Sequence, residues 1–561
     1  MKFFTHLKWL AAALLLAQLW GCKKTDDRPA TDKPEITFGT TTGEYKVKAG
    51  KDITLSATVA NATAPAYSWK LDGKIIGTDL QCPLPRIAIG EYFVTFRVDA
   101  AKGSAEEQVK VTVVDKLPPQ ITLSLNVVAY LGRDNRLAAT IANSDDAKYA
   151  WRLNGTVVSN DSVYTINPST PGSNSLTLKV WNDDGEDLKV VTLVVLPPPV
   201  AELYFDDGHY RLPGDVSTKR LSIPVGKTLV LAPVISIMPR PATFQWTVDG
   251  AAQPSATEYL SFTPQTLGTY LVTVSAGGVT GKVNVECVAA EGTYFRAQQA
   301  GNIALATKAF EYVPAPGQFT SYGIGSTAGQ ATQDLQNSLD MQITNGYIAG
   351  LGAYGGYYIV GFDHSVSDVT DAADLHIGGN AFASWSEPGI VWVMQDENGN
   401  GLPDDTWYEL KGSESNKPET RQRYVITYFK PTAPAQDVLW IDNFGGTGSI
   451  DYLQQFHWQP YYFPMFINSD SYMLTGTCLA PTMIHGGIDT SPGYAWGYVD
   501  NYGDGSKKDF WIEDAIRADG KPAKLKYIDF VKVHTGITGK GAAVGELSTE
   551  AGVPIDLNFS K

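Results

Sequence analysis

The chain is short of the residues from which most catalytic and metal centres are made. Its 561 residues hold four cysteines and seven histidines. No two histidines stand at H-x-x-x-H spacing, which removes the usual helix-borne zinc hydrolase pair. Cys82, Cys287 and Cys478 fall in different parts of the chain without metal-ligand spacing, so they read as isolated buried thiols and not as a disulfide framework. Charged residues make up 18 %. With 44 basic against 59 acidic side chains the net charge is −15. There is no basic run, which excludes a nucleic-acid phosphate partner. Helical periodicity is scarce, with Ala328–Leu339 the one short helix candidate. Enzyme motifs fail in context. Gly350-Leu-Gly352-Ala-Tyr-Gly355 matches G-x-G-x-x-G but runs into a strand, leaving no helix N-terminus for a pyrophosphate. Gly325-Ser-Thr-Ala-Gly329 places its serine too early for a nucleophile elbow. Adjacent aspartates occur in loops, where they form solvated turns, and no glycosidase pair can be named.

What the chain has instead is strand pattern, glycine and aromatics. Three segments repeat aromatic-x-Trp-x-apolar-Asx-Gly around Trp69, Trp151 and Trp246, spaced 82 and then 95 residues apart. Alternation puts the aromatic, the tryptophan and the apolar residue on one face of a strand, and Asp-Gly or Asn-Gly then makes a tight hairpin turn. Alternating runs follow at Gly90–Val98, Gly172–Val180 and Gly268–Val274. Prolines mark joints at Pro118-Pro119 and Pro197–Pro199, which predicts a semi-rigid rod of spacer modules. The N-terminus carries two lysines, an apolar run Trp9–Trp20 too short to span a membrane, and Leu19-Trp20-Gly21-Cys22, which resembles a bacterial lipobox. That resemblance implies an acylated Cys22 holding the protein to the outer membrane, and Lys23–Lys33 reads as a polar tether.

The C-terminal 270 residues, from Gly292, hold seven of the thirteen tryptophans and no further repeat. Two features stand out. One is Val391–Glu414, a strand, an oxygen-rich loop and a second strand. Asp396, Asn398 and Asn400 alternate before Gly401, and the Leu402 carbonyl, Asp404 and a late Glu409 complete a donor set that suits a structural Ca²⁺. An Asx-rich turn without metal is the alternative. The other is a pair of aromatic clusters. His457, Trp458, Tyr461 and Tyr462 lie in 456–464, where two prolines favour a loop. Tyr494, Trp496 and Tyr498 lie in 494–502. Flat rings with polar handles suit a ring-bearing small molecule or a sugar face, and a rim of core aromatics beneath the loops is the alternative.

The fold expected is all-β: three tandem Ig/PKD-like β-sandwiches followed by a larger, jelly-roll-like β-sandwich. The boundaries are 1–21 signal peptide, 22–34 acylated cysteine and tether, 35–116, 117–197 and 198–289 sandwiches, and 290–561 ligand-binding domain. The repeats resemble PKD-like modules of Bacteroidetes surface lipoproteins. The strings Gly361–Ser365, Gly379–Phe382, Glu387–Met394, Trp407–Glu414, Asp529–Val533 and Gly545–Glu550 resemble the C-terminal β-sandwich domain of the same lipoproteins. The resemblance implies a surface accessory that captures a ligand, best a corrinoid such as vitamin B12, for a TonB-dependent outer-membrane transporter. It transfers no ligand residues. His364, His376, His457 and His485 are the histidines that could meet a corrinoid cobalt. The rival functions are a glycan-binding or adhesion protein and a hydrolase without a recognisable motif.

Overall fold

In a computed structural model, residues 34–559 are described except 41–42, 61, 102, 124–125, 199, 321–326, 345, 383, 454, 485–488, 502–508 and 542–543. The signal segment, Cys22, the tether and His485 lie outside the described residues. The chain falls into two compact units, residues 1–117 and 118–561.

The first unit is one sandwich. A five-stranded sheet runs Glu44–Lys48, Gly103–Val114, Gly90–Ala100, Ala66–Leu71, Lys74–Gly77, facing a three-stranded sheet of Glu35–Phe38, Ile53–Ala60 and Gln81–Leu84. The same five-strand order recurs twice in the second unit. It is built there from Asn126–Tyr130, Gly185–Leu196, Gly172–Asn182, Lys148–Leu153, Thr156–Ser159, and again from Lys219–Pro224, Val279–Val288, Gly268–Ala276, Gln245–Val248, Ala251–Ala252. The repeat motif explains the recurrence. Trp69, Trp151 and Trp246 are buried at the centres of their cores. Their indole N–H groups donate to the carbonyls of Asp79 (2.7 Å), Asp161 (3.1 Å) and Thr257 (2.8 Å), so no polar atom is stranded. Asp72-Gly73, Asn154-Gly155 and Asp249-Gly250 all adopt positive φ at both residues, the two-residue hairpin their sequence requires.

The C-terminal domain is built on a six-stranded antiparallel sheet ordered Lys308–Val313, Tyr357–Ser367, Tyr527–Thr535, Gly389–Met394, Tyr408–Leu410, Ala515–Ile516. Its central strand Tyr527–Thr535 is buried at all nine positions because both faces are covered. On one face Tyr358 and Val360 pack beneath the helix Ala328–Asp340, through Ala331, Leu335 and Leu339. On the other, Tyr357 and Ile359 meet Tyr424, Ile426, Tyr428 and Leu474 of a four-stranded sheet. The domain is therefore a sandwich with a helix added as a third layer. The G-x-G-x-x-G string turns out to be a packing device: a Cβ on Gly352 would lie 2.2 Å from the Ala315 carbonyl oxygen, and one on Gly355 2.7 Å from Leu474. Both have positive φ and lead into the strand Tyr357–Ser367.

One expectation is corrected. The second and third sandwiches are not free spacers, because both dock on the C-terminal domain. Val128 and Tyr130 share a small core with Ile441, and Asn126 donates to Asp437 at 2.6 Å. The third sandwich is joined more extensively. Arg211 and Met473 exchange backbone hydrogen bonds (3.0 and 2.7 Å), Tyr204 and Val234 pack on Val425 and Met473, and Arg220 pairs with Asp404 at 2.7 Å. A proline joint sets where a module begins, but apolar faces such as Tyr204 decide whether it stands apart.

Candidate functional site

The aromatic clusters come out differently from their sequence reading. Tyr462 and Tyr498 are core residues, buried to 0 % and 1 % exposure. The Tyr498 hydroxyl accepts the Glu414 N–H at 3.0 Å, and its ring fills the space above Gly412. These two are removed from the ligand set. Tyr461 and Tyr494 are half-buried, and the Tyr494 hydroxyl donates to the Ala480 carbonyl. Trp496 is 40 % exposed and Trp458 73 % exposed. The loops rest on different supports. Phe456 and His457 lean on Phe319, with ring centroids 5.7 and 5.4 Å away, and their N–H groups point to Gln318 Oε1. The 494–500 loop is fixed on Gly412, Glu414 and Ala480. What remains is an open aromatic platform of Phe456, His457 and Trp458. Of the other candidate histidines, His364 is buried between Asp363 (2.7 Å) and Asp556 (3.0 Å), and His376 pairs with Asp509 at 2.6 Å.

The Asp396–Asp404 loop is closed by its own hydrogen bonds. Asp396 accepts the N–H groups of Gly399 (2.8 Å), Asn400 (3.1 Å) and Gly401 (2.9 Å). Asn398 and Asn400 turn their amide N–H groups to Asp404, at 3.2 and 3.0 Å, and Asn400 Oδ1 accepts the Leu402 N–H. Asp404 also holds Arg220. Asp396, Asn398, Asn400 and Asp404 thus gather at one place, but they fit a cation only if the two carboxamides rotate their oxygens inward. Glu409 does not belong to the set. Strand pairing with Trp392 turns it toward Thr477, whose hydroxyl donates to it.

Two arrangements were invisible in the sequence. The first is a buried trio of Glu387, Asp500 and Glu550, each offering an oxygen within 4.8 Å of the others. Asp500 accepts the N–H groups of Asn380 (2.8 Å), Ala381 (2.7 Å) and Glu550 (3.1 Å). Burial, and then the charge of Asp500, push the Glu387 carboxyl up to about 8. Burial, and then Glu387, hold Glu550 well above the usual carboxylate range. Burial thus favours the protonated form of both glutamates. Three of the strings quoted for the resemblance surround this trio, and only the fold brings 387, 500 and 550 together.

The second is a cavity of about 130 Å³ between the third sandwich and the C-terminal domain. Phe205, Leu229, Leu231 and Val234 form its sandwich wall, and Trp392, Trp407, Glu409, Arg423, Arg517 and Lys532 its other walls. Lys532 donates to the Gly208 carbonyl and lies 4.3 Å from the Tyr357 ring centroid. Burial lowers its ammonium and raises the carboxyl of its neighbour Asp206.

The fold and these surfaces define an almost all-β protein of sandwich modules. The family of PKD-like domains matches residues 33–100 and 118–182, the first two modules. Solved structures with some likeness are fibronectin(III)-like modules of Clostridium thermocellum CbhA and two sets of tandem domains. The CbhA modules show 21 % identity over 29 % of this chain and 95 % of that one, with TM-score 0.17. The titin I-band fragment I67-I69 shows 13 % identity over 45 % and 97 %, with TM-score 0.14. Extracellular domains 3–5 of Drosophila OTK show 11 % identity over 46 % and 98 %, with TM-score 0.18. No curated protein matches the chain.

Proposed function

We propose that this is a non-enzymatic binding protein, tethered to the outer membrane through an acylated Cys22, that captures a ring-bearing ligand for a TonB-dependent transporter. The observation that carries the reading is the open platform of Phe456, His457 and Trp458. Trp458 is 73 % exposed, a large apolar surface that a protein leaves in water where it meets a partner. The ligand proposed first is a corrinoid, whose flat macrocycle would lie on Trp458 with exposed His457 near the metal. A glycan is the second reading, favoured because the platform is an open loop and not a cavity, as suits stacking on a sugar face. The Asp396–Asp404 loop is proposed to take a structural Ca²⁺, with a calcium-dependent rise in Tm, lost in Asp396→Asn, as its test.

The deciding experiment is calorimetric titration of the full chain with cyanocobalamin, alongside retention on immobilised polysaccharides. Corrinoid binding that falls at least tenfold in Trp458→Ala supports the first reading. Polysaccharide retention with the same Trp458 dependence supports the second. Binding indifferent to Trp458 overturns the platform.

A further inference from the structure

An open cleft of about 470 Å³ lies between the 223–228 turn of the third sandwich and the 517–525 loop of the C-terminal domain. Its charge runs against that of the chain. The protein carries a net charge of −15, yet Lys227, Arg517, Lys521 and Lys524 line this cleft, and Lys526 stands beside it on Glu291. The acids on its walls or paired with these cations are Glu291, Glu397 and Asp519. Glu291 is bridged by Lys227 at 2.7 Å and Lys526 at 3.4 Å. Asp519 is bridged by Arg517 at 3.3 Å and Lys521 at 3.4 Å. Burial, and then the charges of Asp405 and Glu291, hold the Glu397 carboxyl well above the usual carboxylate range, which favours its neutral form. Five cations therefore meet two ionised carboxylates, and Lys524 makes no ion pair among the described residues. The backbone that carries three of the cations is fixed. The Arg517 N–H donates to the Lys521 carbonyl, the Gly520 N–H to the Arg517 carbonyl and the Ala523 N–H to the Ala515 carbonyl, all at 2.8 Å. Cations gathered in a cleft repel one another, and a bound anion relieves that repulsion.

We propose that this cleft binds a small polyanion, a body of about one sugar ring that carries two tetrahedral oxyanion groups, phosphate or sulfate. The excess of cations calls for more than one negative charge, so a single carboxylate is not enough. A guanidinium fork beside mobile ammonium groups suits tetrahedral oxyanions. The attraction reaches over about 10 Å at 0.1 M salt, so it sums over the group without any one nitrogen having to be aimed. The volume lies within the range of about 300–1,000 Å³ of small-molecule sites, which leaves room for a ring between the charges. No unbroken basic run marks this place in the sequence. Residues 517–526 hold four basic side chains and one acidic, and the fold adds Lys227 from the third sandwich. None of the platform residues Phe456, His457 and Trp458 lines the cleft, so the inference does not depend on the ligand taken there.

The test is calorimetric titration of the full chain at low ionic strength with fructose 1,6-bisphosphate and with glucosamine N,6-disulfate, with the rise in Tm as a second readout. Fructose and N-acetylglucosamine are the uncharged controls. The expected result is binding of at least one of the two anions with Kd below about 0.1 mM, and no heat from the uncharged sugars. Which of the two binds more tightly assigns phosphate or sulfate. Raising NaCl to about 0.5 M is expected to weaken binding at least tenfold. Lys521 and Lys524 are exposed, so Lys521→Glu and Lys524→Glu leave the fold intact, and each is expected to weaken binding about tenfold. Lys189→Glu makes the same change of charge on the exposed face of the second sandwich and is expected to leave binding unchanged, as is Trp458→Ala. Absence of heat and of a Tm rise up to about 10 mM of both anions would overturn the proposal. So would parent-like affinity in both Lys521→Glu and Lys524→Glu, or an equal loss in Lys189→Glu.

Discussion

Replacing Glu546 by glutamine should reverse in sign as the pH is raised. Glu546 is 2 % exposed and lies under the segment that supports the aromatic platform. Its Oε1 accepts the Phe319 N–H at 2.9 Å, and Gly317 lets the carboxyl approach because a Cβ there would be 2.2 Å from the same oxygen. Its Oε2 has no partner. Burial pushes the carboxyl up to about 8 from 4.5. The folded chain therefore keeps a proton that the unfolded chain has lost. This contribution to stability is complete below the unfolded pKa and is lost as pH rises through the folded one. The interval of about 3.5 units corresponds to about 5 kcal/mol between pH 4 and pH 9. Glu546→Gln does not titrate. It keeps the acceptor for Phe319 and adds an unpaired amide N–H, costing roughly 1 kcal/mol at acidic pH. The variant should thus be about 1 kcal/mol less stable at pH 4, about as stable near pH 5 and about 3–4 kcal/mol more stable at pH 9. Over a domain of this size that is a Tm gain of about 10 °C at alkaline pH. Scanning calorimetry of both proteins from pH 4 to 9 measures it, other groups cancelling in the difference. Parallel decline of the two Tm values would refute an elevated Glu546.

Further outcomes are expected. Trp246→Ala should cost about 3–5 kcal/mol, read as a fall in the urea midpoint, because it empties a core position and strands the Thr257 carbonyl. Trp458→Ala should shift the same midpoint by less than about 0.5 kcal/mol while weakening ligand, since its ring is mostly in water. His534 is fully buried and lowered to about 3, first by burial and then by Lys532. Its contribution is present above pH 6.5 and is lost as pH falls toward 3, so acid unfolding followed by tryptophan fluorescence should occur at lower pH in His534→Gln. Cys22→Ser should abolish incorporation of a labelled fatty acid and release the protein from membranes, measured by fractionation.

The repeat, the hairpins and the fold class were legible in the sequence because they are local. Period-two alternation around Trp69, Trp151 and Trp246 and a following Asx-Gly specify a buried strand and its turn within seven residues, wherever the strand lies. The ordered loop from Asp396 to Asp404 was legible for the same reason. Burial of aromatics in irregular loops was not. Tyr462 and Trp458 are four residues apart with similar neighbours, yet the Tyr462 ring is sealed in the core against Tyr452, with centroids 4.8 Å apart, while Trp458 is 73 % exposed.

By itself the sequence settled which segments become sandwiches and that the chain would be built from strands, since alternation and turn chemistry act between near neighbours. Only the tertiary structure decided that the third sandwich locks onto the C-terminal domain and that Glu387, Asp500 and Glu550 share one buried place. Each depends on residues fifty or more positions apart whose meeting is set by how sheets stack, and stacking answers to shape and burial summed over whole faces, which no short stretch of sequence records.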